Sequence, residues 1–413
     1  MLSDNQPIMS VLKDHKISVN QLLGVIPEAL LTKLSATTKV DYYAKVLHGK
    51  KMFYLLLYGI LDNEKLSQRT LEDTFNDSMF KTLFNLDPCE SIRRSSISER
   101  LSKIDSDYFR EIYQCIYQQF DNAYPNKDKL KCNLIHVDSS MVSEASGKLL
   151  EGLDNKSGKK AVKYSVAFDG LLPCHFNVFT EKKYSSEDIA LPEAIMNHVK
   201  QESNHQNIYV IDRGLQSTRT MKSFNDDSVT FIVRAKENQK HIELESLLVQ
   251  NQDIDLGELT LVNDSKVHLY TGRPINNKKR NIHYREELVD TPFRLIVAKT
   301  KTKEEKAFWF ITNNFDLSAK EIAQAYRRRW DIEVFFRFIK QELHVSHLVS
   351  LNKNGIEVIL YMTLIVAMLL SIYKKGNKIG YKTAKRRFKM ELRNLVIAMI
   401  ILQSGGKLDK FKT

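Results

Sequence analysis

Tyr326-Arg327-Arg328-Arg329-Trp330-Asp331-Ile332-Glu333-Val334-Phe335-Phe336-Arg337-Phe338-Ile339-Lys340 carries two patterns at once. Its apolar residues recur at helical spacing, and charged residues accompany them. With about 100° of rotation per residue, and Tyr326 taken as the origin, Arg329 falls at about 300°, Glu333 at about 340° and Lys340 at about 320°. Ile332, Phe335, Phe336, Ile339 and Leu343 fill the sector from about 180° to about 280°. A polar stripe therefore runs at the margin of the core-facing stripe, where a carboxylate is partly buried and flanked by cations. A salt-bridged surface helix accounts for Arg329 and Glu333 as an i, i+4 pair, but not for Tyr326 and Lys340 on the same stripe. The periodicity predicts one helix, opened by Ser318 with Glu321 in a capping box and running past Leu343.

Upstream of it, short apolar runs end in acidic residues. Cys132-Asn133-Leu134-Ile135-His136-Val137 reads as a buried strand ending at Asp138. Ile208-Tyr209-Val210-Ile211 reads as a second, ending at Asp212-Arg213-Gly214. Strand ends are where an open sheet presents ligands, although an aspartate there also serves simply to cap a turn. Residues 162–168 and 174–179 alternate around Asp169-Gly170, a hairpin signal. Ser185-Ser186-Glu187-Asp188 opens a helix toward Val199. Residues 229–233 and 308–312 are further strands. From 237 to 305, strand-like runs (259–262, 267–270, 293–298) alternate with charged turns such as Asn276-Asn277-Lys278-Lys279-Arg280, which reads as a β-rich insertion.

The remainder reads as helical. Residues 1–125 hold apolar clusters such as Val19–Leu23 and Met52–Leu57, and Ser67 marks a helix start. The Ser- and Arg-rich stretch Ser91–Leu101 is either a capped surface helix or one that enters a DNA groove. Residues 358–373 are uncharged and mostly apolar, but shorter than the roughly 20 residues of a membrane span. They read as a buried helix of a soluble protein. Lys374–Lys389 then holds eight basic residues and no acidic one.

The chain has 413 residues, 43% of them hydrophobic and 27% charged. That balance excludes a disordered chain and implies two or three domains. The formal net charge of +12 suggests a polyanionic partner or a broadly solvated surface. None of the four cysteines, Cys89, Cys115, Cys132 and Cys174, sits in a C-x-x-C pair, so a zinc or disulfide framework is not expected and a reducing cytoplasm fits. Met1-Leu2-Ser3-Asp4-Asn5 does not open like a signal peptide.

Carboxylates converging on one point, set among cations, are what two-metal phosphodiester chemistry requires. The ions stand about 3.5–4 Å apart and act on the attacking and leaving oxygens, and Mg2+ completes its shell with water and phosphate oxygens. Neighbouring cations hold other phosphates, while a tyrosine hydrogen-bonds phosphate or stacks on a displaced base.

The spacing Y-x2-R-x3-E-x6-K, met by Tyr326, Arg329, Glu333 and Lys340, resembles the signature of the D-D-E cut-and-paste transposases of bacterial insertion sequences. Asp138-Ser139-Ser140 and Asp212-Arg213-Gly214-Leu215 look like that family's first and second acidic motifs. The resemblance covers residues 130–375. It implies an α/β fold: a ribonuclease H-like mixed sheet flanked by helices, with a β-rich insertion and an N-terminal helical domain. The implied organisation is an end-recognition domain over 1–125, a catalytic core over 126–236 and 306–375, the insertion over 237–305 and a basic segment over 376–413. Asp138, Asp212 and Glu333 would ligate two Mg2+ ions, with Mn2+ as a substitute. Tyr326, Arg329 and Lys340 would contact DNA. The implied activity is hydrolysis at the ends of a double-stranded element to free 3′-hydroxyls, then their joining to target DNA, within a synaptic homodimer. An inactive DNA-binding regulator derived from such an enzyme is the alternative.

Other residues have plainer readings. His136, on the same face as Asp138, reads as a hydrogen-bonded histidine at the core's edge. Lys156, Lys159, Lys160 and Lys163 either line a DNA channel or decorate a turn. Trp309 is a core residue, or the stacking residue some family members place in the insertion. Trp330 is expected to pack. Lys374–Lys389 either contacts DNA or forms a solvated face.

Overall fold

The computed structural model describes residues 16–123, 133–143, 149, 152–154, 160–201, 206–248, 254–275, 283–345 and 349–407. Met1–Asn5, Cys132, Lys156, Lys159 and the turn at 276–280 lie outside the described residues. In chain order the first helices are α1 (Val19–Gly24), α2 (Glu28–Thr38), α3 (Gly49–Asp62), α4 (Gln68–Asn76), α5 (Ser78–Leu83), α6 (Arg94–Lys103) and α7 (Ser106–Ala123). There follow β1 (Asn133–Ser143), β2 (Leu153–Asp154), β3 (Lys160–Phe168), β4 (Pro173–Phe179), α8 (Glu187–Gln201), β5 (Asn207–Ile211), α9 (Thr218–Asp226) and β6 (Thr230–Ala235). Next come β7 (His241–Ser246), β8 (Leu259–Ile275), β9 (His283–Thr300) and β10 (Ala307–Thr312). Helices α10 (Ala319–Arg327), α11 (Trp330–Gln341), α12 (Lys353–Asn377) and α13 (Tyr381–Gln403) end the order. The chain divides into two compact units: Met1–Asp128, Met141–Val162 and Phe335–Thr413 form one, and Lys129–Ser140 and Lys163–Val334 the other.

In the first unit the apolar run at 358–373 lies within the longer α12, capped by Asn352, whose side chain accepts from the Gly355 N–H. α12 packs against α3, α6, α7 and α13. Of its most apolar window, 89% is buried inside the protein, as expected for a core helix. The basic run that follows it is partly consumed internally. Lys385 Nζ donates to the Glu342 carbonyl, and Lys389 Nζ to the Asp62 carbonyl at 2.5 Å. Both carbonyls lie at helix C-termini, where a cation is favoured by the helix dipole. In α6, Arg100 donates to the Leu47 and Val40 carbonyls while Arg93, Arg94 and Ser95 face solvent.

The second unit is built on a mixed sheet of order β3-β1-β5-β6-β10-β9-β8-β7, with β4 paired to β3. β5 is parallel to both β1 and β6. All five residues of β5 are buried, the pattern of a strand covered on both faces. The hairpin signal holds: Gly170 turns at φ +96°, a conformation that suits glycine. The runs at 259–262 and 267–270 belong to one strand, β8, which pairs along its length with β9. α10 lies on the sheet, with Ile322, Ala323 and Tyr326 packed against Val210, Ile232, Ile296 and Phe310.

Two sequence expectations change. β1 does not stop at Asp138 but continues to Ser143; what stops is its pairing with β5, whose last pair is Val137 with Ile211. The capping box at Ser318 and Glu321 forms, but the long helix does not. It breaks into α10 and α11 at Arg328-Arg329. There Arg329 N donates to Tyr326 O, Asp331 N to Arg328 O and Ile332 N to Arg329 O, the tighter three-residue spacing. α11 also ends at Gln341, before Leu343.

Candidate active site

Because β1 and β5 run parallel and end their pairing at Val137 and Ile211, Asp138 and Asp212 occupy adjacent positions just past the same rung. Local chemistry then fixes each one. The Ser139 N–H donates to Asp138 Oδ1 at 2.7 Å. Tyr326 Oη donates to Asp212 Oδ1 at 3.0 Å, with its ring buried against Phe310. Arg329 Nη2 donates to Glu333 Oε1 at 2.5 Å, and its Nε lies 3.9 Å from Asp212 Oδ1. Arg329 is thus the cation shared by Asp212 and Glu333. The Arg328-Arg329 break sets this geometry by placing Tyr326 at the end of one helix and Glu333 in the first turn of the next.

The electrostatics follow from crowding. Burial pushes the Asp138 carboxyl up to about 6; the Ser139 N–H and Arg329 oppose this, and the nearby carboxylates of Asp212 and Glu187 add to it. Burial first, then Asp212, pushes the Tyr326 phenol up to about 12, so it stays a donor. Burial works against the Arg329 charge, but Tyr326, Asp212 and Glu333 outweigh it and hold its pKa above the ordinary value.

Hydrogen bonds and ion pairs join Asp212, Tyr326, Arg329 and Glu333, and strand register sets Asp138 beside Asp212. Among the described residues, no three His, Cys, Asp or Glu side chains form a group able to hold a metal ion. Lys340, seven residues beyond Glu333 on α11, is exposed, with Nζ 5.8 Å from the Phe336 ring centroid. The Tyr326 ring is buried, so in this arrangement it holds Asp212 and is not free to stack on a base.

Several sequence readings are corrected. His136 is fully buried, and neither ring nitrogen has a hydrogen-bond partner among the described residues. Burial, then Arg328 and Arg329, pushes its pKa down to about 3, so it is neutral. Lys163 decorates no turn: it is buried within β3, with Nζ 2.9 Å from Glu187 Oε1. Trp330 does not pack in the core; it is 54% exposed, the first residue of α11 after the break. Trp309 is half-buried, edge-on to His241 at 5.7 Å, on the alternate face from Phe310.

Sequence reasoning missed Arg234 of β6, whose guanidinium lies 4.0 Å from the Phe308 ring centroid, close enough to Tyr326 and Asp212 to interact electrostatically with them. It read Glu187 only as a helix start. An isolated basic residue within an otherwise apolar strand was the available signal for both Arg234 and Lys163.

Residues 133–369 match the sequence profile of the family described as Transposase DDE domain. The chain belongs to that family, with the transposases of bacterial insertion sequences. It is 26% identical over 345 residues to a putative transposase of insertion sequence element IS4SA from Synechocystis sp., covering 83% of this chain and 86% of that one. It is also 26% identical over 171 residues to a probable transposase of insertion sequence element IS5377 from Geobacillus stearothermophilus, covering 41% of this chain and 40% of the relative. A solved chain of a piggyBac transposase synaptic complex with hairpin DNA superposes at TM-score 0.47 with 9% identity, covering 99% of this chain and 86% of that one.

Proposed function

We propose that this transposase cuts double-stranded DNA at the ends of its element, frees 3′-hydroxyls and joins them to target DNA, using Asp138, Asp212 and Glu333 with two Mg2+ ions. The observation that carries the reading is the adjacent pair Asp138 and Asp212 past one rung of a parallel sheet, linked through Arg329 to Glu333. The donor chemistry suits the ions: all are hard carboxylate oxygens, and a buried Asp138 beside the Asp212 carboxylate is a setting whose negative charge a divalent cation offsets. Bound, the ions would supply activation of the attacking oxygen and stabilisation of the leaving one.

The chain's own groups have distinct tasks. Tyr326 orients Asp212 by its hydrogen bond. Arg329 offsets the acidic charge and offers a guanidinium to a nearby phosphate, the DNA-contacting role read for it. Lys340 offers an exposed ammonium to the backbone. The fold around them is read as ribonuclease H-like over 126–236 and 306–375, with 237–305 as its insertion, 1–125 recognising the DNA ends and 376–413 as a basic tail segment. A homodimer pairing two ends, acting in the bacterial cytoplasm, completes the proposal.

The test is cleavage of the element's own ends by Asp138→Ala, Asp212→Ala and Glu333→Ala, beside a gel-shift assay. Each variant should bind ends normally and lose Mg2+-dependent cutting. Cutting that survives any substitution removes that residue from the site. Wild-type protein that binds ends but never cuts would mark a regulator instead.

A further inference from the structure

Among the described residues, Lys163 is a buried charged side chain near the acidic residues whose presence the network above does not explain. Its ammonium, 1% exposed, donates to Glu187 Oε1 at 2.9 Å and to the Ser185 carbonyl at 3.0 Å. A lysine sealed in a strand gives up its hydration, and an apolar residue of like size would fill the space without that cost. The pair therefore invites a reason beyond packing.

That reason lies in what Glu187 and its neighbour touch. Gly214, two residues past Asp212, approaches Glu187 so closely that a Cβ there would lie 3.1 Å from Glu187 Cβ and 3.3 Å from its Cγ. Asp188 Oδ1 accepts from the N–H groups of Gln216 and Ser217 at 2.7 and 3.0 Å. The first turn of α8 thus grips the whole segment that follows Asp212, and Lys163 ties that turn to β3. β3 is the neighbour of β1, which carries Asp138, and Ser139 Oγ lies 2.6 Å from Ser165 Oγ between them. Glu187 Oε2 is buried without a hydrogen-bond partner among the described residues. The neighbouring Glu187 charge is also felt at Asp138.

The geometry points to Lys163 and Glu187 as a positioning pair that fixes the spacing of Asp138 and Asp212 for divalent-cation binding. This rests on the proposed carboxylate site. Lys163 neutralises Glu187 and holds it against Gly214, so the Asp212 turn cannot drift from the end of the β1 pairing. Neither residue needs to touch DNA.

The experiment titrates Mn2+ into full-length protein without DNA and reads free Mn2+ by electron paramagnetic resonance, with thermal unfolding in parallel. The proteins are wild type, Glu187→Gln, the double variant Lys163→Met with Glu187→Gln, Asp138→Asn and Asp212→Asn. Groups that orient metal ligands typically change affinity by about 10–100-fold when removed. Glu187→Gln should weaken Mn2+ binding in that range. The double variant, which leaves no buried charge unpaired, should recover stability but not affinity. Should Glu187→Gln fail to fold, the double variant carries the comparison alone. A double variant that is stable and binds Mn2+ as wild type does would show a purely structural pair and overturn the inference. If Asp138→Asn and Asp212→Asn also bind like wild type, the carboxylate site itself is wrong.

Discussion

Tyr326 and Asp212, 114 residues apart in sequence, are joined by a 3.0 Å hydrogen bond from phenol to carboxylate. The tyrosine's ring belongs to the apolar cluster beneath α10, so its hydroxyl is aimed by core packing. Tyr326→Phe should keep the ring in place and remove only the bond. A hydrogen bond to a charged group contributes about 1.5–3 kcal/mol. If that is fully expressed in the transition state, cleavage of the element's ends falls by about 10–100-fold. End binding in a gel shift should be unchanged; a weakened shift would instead mean that Tyr326 contacts DNA directly.

The two cations farther along differ in what they already hold. Lys340 is exposed on α11, whereas Lys385 donates to the Glu342 carbonyl. Lys340→Ala should weaken DNA binding uniformly across sequences and reduce the slope of log affinity against log salt by about 1. Lys385→Ala should leave that slope alone and lower the unfolding midpoint. Fluorescence anisotropy over a salt series separates the two, and identical slopes for Lys340→Ala and wild type would remove Lys340 from the interface.

Arg294 and Asp264 form a buried two-pronged pair between β9 and β8, at 2.8 and 2.7 Å, and Arg294 also donates to the Leu317 carbonyl just before α10. Asp264→Ala strands a buried guanidinium and should cost about 3–5 kcal/mol in urea unfolding. An apolar double replacement of similar volume should recover most of that loss. A single variant as stable as wild type would mean that the pair carries no net stability.

His198 lies on the buried face of α8, with Nδ1 2.9 Å from Tyr209 Oη of β5. Burial, then the neighbouring His175, pushes its pKa down from 6.5 to about 3. Below about 6.5 the unfolded chain takes up a proton that the folded protein refuses. Its contribution is therefore intact at neutral pH and declines as pH falls from about 6.5 toward about 3, with a slope of at most about 1.4 kcal/mol per pH unit. His198→Gln should flatten the acid limb of stability against pH, as measured by denaturant unfolding from pH 4 to 7. An unchanged slope would place the acid sensitivity elsewhere.

Much of this fold is written locally. The hairpin at Asp169-Gly170, the capping box at Ser318 and the apolar α12 follow from turn chemistry, side-chain capping and periodicity, which act over a few residues. The candidate site residues were legible for the same reason: two acids after apolar runs, then the spacing from Tyr326 to Lys340. Their mutual arrangement was not legible. A wheel drawn through one continuous helix put Tyr326 and Glu333 on a single stripe, but the chain breaks at Arg328-Arg329 and gives them to different helices. Trp330 is exposed for the same reason.

By itself, then, the sequence marked out the candidate site residues, because propensity and patterning are local. Only the tertiary structure decided that Val137 and Ile211 share a rung and so bring Asp138 beside Asp212. It also decided that Arg329 joins Asp212 to Glu333, and that Lys163 is sealed against Glu187. Those relations depend on strand register and on burial, which are set by long-range pairing that no short window of sequence contains.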